Sequence, residues 1–263
     1  QYRSRTEGRR VAGRPEIRTR LARKAQGMSV TVKIVVDGKE VRALPGQTVL
    51  EACDTAGIYI PRLCRMKGLV PHGSCRVCTV RCNGRPQAAC TQPVAEDMVI
   101  ENDTTELKEY RRSIVDMLFV EGNHYCMFCE KSGNCELQAM GYRLGIAAPQ
   151  YPYQFPQRNV DATHPDVFID RNRCILCGRC VAASRDLDGK TVFDFAGRGA
   201  DKHVIVNSAK GLGSTKLAVG DRAADVCPVG AILKKRVGYA VPIGQRKFDS
   251  KPIGSDIESA RAK

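Results

Sequence analysis

Cys174-Ile175-Leu176-Cys177-Gly178-Arg179-Cys180, completed far downstream by Cys227-Pro228, is the stretch around which this chain is organised. Three thiols at a pitch of three and a remote Cys-Pro are how a chain wraps a cubane iron-sulfur cluster. The tight loop supplies three corners and the distant segment caps the fourth. In the two-cluster ferredoxin run a fourth Cys follows closely and serves a second cluster; here that position is Ser184, followed by Arg185. The reading is therefore one 4Fe-4S cluster on Cys174, Cys177, Cys180 and Cys227. Zinc is the competing reading, but zinc motifs pair two ligands, a long gap and two more, so a third Cys at the same pitch is surplus to a tetrahedral site.

Of the 263 residues 43% are hydrophobic, enough for a core, yet there is no Trp and there are 24 Gly and 13 Pro. That balance suits small loop-rich modules built round ligands. The 13 Cys cluster in CxxC pairs with no secretory apolar region ahead of them, so metal-binding thiols in a cytoplasmic setting are expected, not a disulfide framework. No apolar run approaches the ~18 residues of a membrane span. The net charge of +14 would ordinarily point to nucleic acid. Half of it sits in residues 1–27, where nine Lys/Arg oppose Glu7 and Glu16, and no basic-aromatic face accompanies it, so nucleic acid is not expected as a partner. Residues 1–28 read as a basic flexible arm: a transit-like segment, a docking tail, or an extension ahead of an initiator at Met28.

Residues 29–104 read as a 2Fe-2S ferredoxin-like domain of β-grasp type. Val30 to Val36 alternates, Asp37-Gly38 turns, Lys39 to Ala43 returns, and Thr48-Val-Leu-Glu51 opens a short helix with a capping box. Cys53 lies on the apolar side of that helix and reads as core. The array Cys64, Cys75, Cys78 and Cys90 gives each iron of a 2Fe-2S cluster two thiolates. Cys82 competes with Cys90 for the fourth position, and zinc competes for the loop.

Residues 105–148 read as a small helical module with a mixed histidine/cysteine 4Fe-4S cluster. Asp103-Thr-Thr-Glu106 caps a helix whose Leu107, Tyr110, Ile114, Met117 and Leu118 form one stripe. It delivers the chain to His124, Cys126, Cys129 and Cys135, a compact set in which imidazole replaces one thiolate and raises the potential. Cys135 also starts a helix with Leu137, Met140 and Leu144 inward. Residues 149–240 read as a ferredoxin-like 4Fe-4S domain: a Pro- and Tyr-rich linker, Val167–Asp170 leading into the third site, strands at Thr191–Phe195 and His203–Val206, and a helical turn over Pro228–Lys235. Residues 241–263 read as a basic tail, a solvated or docking surface. The fold class is α+β.

With the sites in this order, the chain resembles the small diaphorase subunit of cytosolic NAD-reducing [NiFe]-hydrogenases, and beyond it the amino-terminal part of the large iron-sulfur subunit of respiratory complex I. The resemblance rests on Pro61-Arg-Leu-Cys64, Gly73-Ser-Cys75-Arg-Val-Cys78, Glu121-Gly-Asn-His124, Lys131-Ser-Gly-Asn-Cys135-Glu-Leu-Gln138, the Cys174–Cys180 run and Cys227-Pro-Val-Gly230. His124 stands two residues before Cys126, where complex I relatives have four, which favours the hydrogenase type. The chain also stops where the complex I subunit would continue. The resemblance implies an electron relay between a flavin-bearing, NAD(H)-binding diaphorase subunit carrying FMN and the small and large subunits of a [NiFe]-hydrogenase, with no substrate site of its own. Iron-sulfur subunits of an NAD-linked formate dehydrogenase, a bifurcating hydrogenase or a complex I-like enzyme are the alternative.

Overall fold

The computed structural model describes residues 31–259; the basic arm lies outside them. Strands β1 (Val32–Val36) and β2 (Lys39–Ala43) pair antiparallel across Asp37-Gly38. Their φ values of 47° and 76° are the left-handed pair a two-residue hairpin demands, which Asp-Gly adopts with least strain. Asn83-Gly84 repeats the device between β3 (Thr79–Cys82) and β4 (Arg85–Ala88). β5 (Met98–Glu101) enters between the hairpins, parallel to β1 and antiparallel to β3, so the sheet runs β2-β1-β5-β3-β4. Helix α1 (Val49–Thr55) carries the expected capping box: the Glu51 amide donates to the Thr48 hydroxyl, and the Thr48 amide to the Glu51 carboxylate. Cys53 is fully buried with Ile34, Val36, Leu50 and Ile100 in one core, as expected.

Helix α2 (Thr105–Val120) departs from the sequence in two ways. Its cap is Thr104, one residue later than Asp103, which instead pairs with Lys108 at 2.8 Å. The expected stripe is rotated, with Tyr110 and Met117 exposed and Leu107, Arg111, Val115 and Val120 buried. Arg111 donates to the Thr79 carbonyl at 2.8 Å and to the Asn102 carbonyl and side chain at 2.9 and 2.8 Å. A charge tolerates burial when such acceptors meet it. Hydropathy periodicity does not register an arginine on an inward face.

The remainder is built from short pieces. α3 (Glu136–Arg143) follows Cys135. β6 (Val160–Asp161), β7 (Val167–Asp170) and β10 (Ile232–Lys234) form a sheet in the order β10-β7-β6, with β8 (Phe193–Ala196) and β9 (His203–Val206) paired apart from it. α4 (Arg179–Asp186) and α5 (Arg222–Asp225) complete the third region. The strand at Ile232–Lys234 corrects the helical turn expected over Pro228–Lys235, because Ile232 pairs with Ile169 and closes the sheet. The last stretch is largely exposed and is tied back to the body at a few points. The Tyr239 hydroxyl donates to the Phe128 carbonyl (2.6 Å), Lys247 N–H to the Asn134 side chain (2.9 Å) and Phe248 N–H to the Gly133 carbonyl (3.0 Å). Beyond them α6 (Ser255–Ser259) returns to Arg143, which meets Glu258 and the Ile253 carbonyl.

Candidate metal centres

The first array is assembled by the sheet. Cys78 precedes β3, Cys90 follows β4, and Cys64 and Cys75 lie on the loop between α1 and β3. Their side chains act on one another: Cys75 and Cys90 bear on Cys64, and Cys90 on Cys78. Those interactions hold the Cys64 thiol far below the usual range and push Cys75 and Cys90 up, while Cys78 falls to about 7. Cys64 N–H also donates to Cys75 Sγ at 3.4 Å. Cys82 belongs to β3, and burial raises its thiol to about 11. No array sulfur acts on it. Of the two competitors for the fourth position, Cys90 is the one on which Cys64 and Cys78 act.

The second array hangs from a 3-10 turn, Cys126–Phe128, and from Cys135 at the start of α3, whose sulfur accepts the Gln138 amide at 3.5 Å. Burial pushes Cys135 up to about 12, and burial followed by the neighbouring Cys129 raises Cys126. His124 is held down at about 4 by burial and by the positive Arg173, so its ring is neutral. Its Nε2 is buried with no hydrogen-bond partner among the described residues and faces Gly122, where a Cβ would stand 2.6 Å away. The charges acting most on the ring are Arg173, Asp170 and Arg158, not the thiols. A neutral, buried, unpartnered imidazole nitrogen has the chemistry of a metal ligand.

The third array lines a small apolar cavity. Cys174, Cys177, Cys180 and Cys227 all reach it, together with Ile169, Ile175, Val204 and Val229. Leu176 at φ 52° and Gly178 at φ 76° give the loop its tight path, and Leu176 N–H donates to Cys174 Sγ at 3.4 Å. Burial raises Cys174 to about 11, and burial with neighbouring sulfur charge drives Cys177 and Cys180 higher. Thiols crowded this way resist ionisation until a cationic centre compensates them, which is the condition for iron binding. Among the described residues, no three Cys, His, Asp or Glu side chains converge as a single-ion site. The thiols form wider sets.

Contacts join the first array to the third and the third to the second. A Cβ on Gly178 would come 3.3 Å from His72, and Arg179 donates to the Arg65 carbonyl at 3.2 Å. Gly230 lies so close to Cys129 that a Cβ would stand 2.7 Å from its sulfur. Arg173 reaches the same sulfur at 3.7 Å, and Glu136 N–H donates to the Pro228 carbonyl at 2.8 Å. Arg173 and Arg179 went unread in the sequence. Their signal was a charged residue directly before Cys174 and another directly before Cys180, positions that look like spacers.

Three family models tile the chain: a 2Fe-2S iron-sulfur cluster binding domain over residues 29–105, an NADH-ubiquinone oxidoreductase-G iron-sulfur binding region over 111–150, and a 4Fe-4S single cluster domain over 167–233. The chain is 39% identical over 235 residues to the NAD-reducing hydrogenase HoxS subunit gamma of Cupriavidus necator, covering 89% of this chain and 97% of that one. The chain belongs to the NAD-reducing hydrogenase gamma-subunit family. A crystal structure of NAD+-reducing [NiFe]-hydrogenase in the H2-reduced state contains a chain that matches with a TM-score of 0.84 and 45% identity, covering 88% of this chain and 99% of that one. More distantly, the 78 kDa subunit of the mitochondrial NADH-ubiquinone oxidoreductase of Candida albicans is 33% identical over 79% of this chain and 29% of its own length. Members of the gamma-subunit family are thus kin to a longer respiratory subunit. This member is a mixed α and β protein with one 2Fe-2S and two 4Fe-4S binding regions. No helix among the described residues is long and apolar enough to cross a membrane.

Proposed function

We propose that this chain is the electron-relay subunit between a flavin-bearing, NAD(H)-oxidising diaphorase subunit and a [NiFe]-hydrogenase module. The observation that carries the reading is the contact chain from first array to third to second, in a protein that spans nearly the whole length of a hydrogenase gamma subunit. In this reading residues 29–104 are a β-grasp module holding 2Fe-2S on Cys64, Cys75, Cys78 and Cys90. Residues 105–148 hold a 4Fe-4S cluster on His124, Cys126, Cys129 and Cys135. Residues 149–240 are a ferredoxin-like module holding the other on Cys174, Cys177, Cys180 and Cys227. When bound, the clusters accept and pass single electrons.

The chain's own residues bury the sulfurs, fix their spacing and set the surrounding charge, and these are the means a protein has to tune potential. Apolar side chains frame the second array at the surface: Met127 is 85% exposed, Phe128 74% and Ile243 84%. A patch of that kind suits a partner surface and supports an exit toward the hydrogenase at the second array. NAD(H) and FMN belong to the diaphorase partner, and the setting is cytoplasmic.

The test is iron and acid-labile sulfide per chain on anaerobically purified protein, with zinc measured alongside. About ten of each is expected from the cluster types; zinc without sulfide would refute the relay. In the assembled enzyme Cys177→Ser should spare flavin-dependent NADH:dye activity while cutting coupled hydrogen turnover, and equal loss of both would mean structural collapse.

A further inference from the structure

Arg179 has an unusual position. Its residue is 4% exposed, and its guanidinium makes a two-point ion pair with Glu136, Nη1 at 2.8 Å and Nη2 at 2.6 Å. Nη2 also donates to the Arg65 carbonyl at 3.2 Å. Glu136 directly follows Cys135, Arg65 directly follows Cys64, and Arg179 directly precedes Cys180. One side chain therefore touches the ligand-bearing segments of all three arrays. Its charge acts on the thiols of Cys177 and Cys227.

The pairing is incomplete on one side. Arg179 Nε is buried and has no hydrogen-bond partner among the described residues. A guanidinium offers five donors in a fixed fork, and burying one unmet normally costs about 1–3 kcal/mol. The two Nη atoms are committed to Glu136 and the Arg65 carbonyl, so the fork's position is fixed from both sides.

We infer that Arg179 is a positioning residue that joins the three cluster-binding segments and supplies its positive charge to the third centre, raising that centre's potential relative to its surroundings. The inference rests on the relay reading and its ligand assignments. Lysine would keep the charge without the fork, because its ammonium cannot hold Glu136 at two points and Arg65 at once. Removing the charge disfavours the reduced, more negative cluster; removing Glu136 unmasks the charge and favours it.

The experiment uses the full chain purified anaerobically in its native assembly, with iron and sulfide counted and each cluster titrated potentiometrically by EPR. Arg179→Gln should lower the third cluster's midpoint, with its reduction equilibrium falling about tenfold, ~59 mV for one electron. Glu136→Gln, which keeps the shape, should move it the opposite way, and Arg179→Lys should restore most of the Arg179→Gln loss. Full iron with an unmoved third midpoint in both Gln variants overturns the inference. So do shifts of the same sign, which mean general loosening. If Arg179→Gln fails to load iron, the sign of the shift in Glu136→Gln decides alone. A wild-type chain without its expected iron sinks the relay reading itself, a separate outcome.

Discussion

Cys78 and Cys90 flank paired strands and act on each other's thiols; Cys126 and Cys129 lie at the two ends of one 3-10 turn that is held by chain arriving from 111 residues downstream, through the Tyr239 hydroxyl on the Phe128 carbonyl. Half of the first set is part of the sheet's core, Cys78 and Cys90 being essentially without exposure. The second set has Cys135 buried on a helix but its other two thiols partly open, beside an apolar surface. Similar ligand chemistry thus has two kinds of support. A sheet register fixes one, and non-local lashing fixes the other. A loop of this length has few contacts of its own and opens locally at little cost unless something distant closes it.

Cutting the lashing should have the largest effect. A chain ended after Arg236 loses the bonds from Tyr239, Lys247 and Phe248 onto residues 128–134. We expect it to lose about four of its ten irons, from the 4Fe-4S type, while the 2Fe-2S EPR signal persists. Loss of the 2Fe-2S signal together with the four irons would show that the two regions stand or fall as one unit and would break the comparison.

The next effect separates neighbours within the sheet. Cys90→Ser removes a thiol on which Cys64 and Cys78 act, so about two irons should go. Cys82→Ser alters a strand thiol shielded by burial alone and should leave iron content intact, at a stability cost of roughly 1 kcal/mol. Iron analysis and thermal unfolding of both variants decide it. Iron lost from Cys82→Ser and kept by Cys90→Ser would reverse the ligand assignment.

These contrasts also mark what the sequence can say. Asp37-Gly38, Asn83-Gly84 and the Thr48–Glu51 box are legible because each acts across two to four residues, with its geometry written in its own side chains. The cysteine runs are legible for the same reason: a pitch of three constrains where sulfurs go. Arg111 is not legible, because its inward place depends on carbonyls at Thr79 and Asn102. The strand at Ile232–Lys234 depends on β7, and the return of the last stretch depends on Asn134 and Gly133. Nor does chain order disclose that the third array contacts both of the others. Arg173 and Arg179 show their role only when Cys129, Glu136 and the Arg65 carbonyl come to meet them.

The smallest expected effect sharpens the comparison at its least supported ligand. His124 is neutral and buried, with Nε2 free of any hydrogen bond among the described residues, and the second array otherwise offers three thiols. If the imidazole completes the set, His124→Cys replaces a neutral ligand by an anionic one and makes the cluster harder to reduce. Iron content should stay full while the midpoint of that one cluster falls by ~60 mV or more, about a tenfold change in a one-electron equilibrium. The first cluster, which the contact chain separates from the second by the third, should not move. An unchanged second midpoint with iron retained would place His124 outside the ligand set, and the Gly122 contact would then be packing alone. In that case the second array would be a three-thiol site finished by another group, and the likeness of its support to a loop, not a cage, would extend to its ligands.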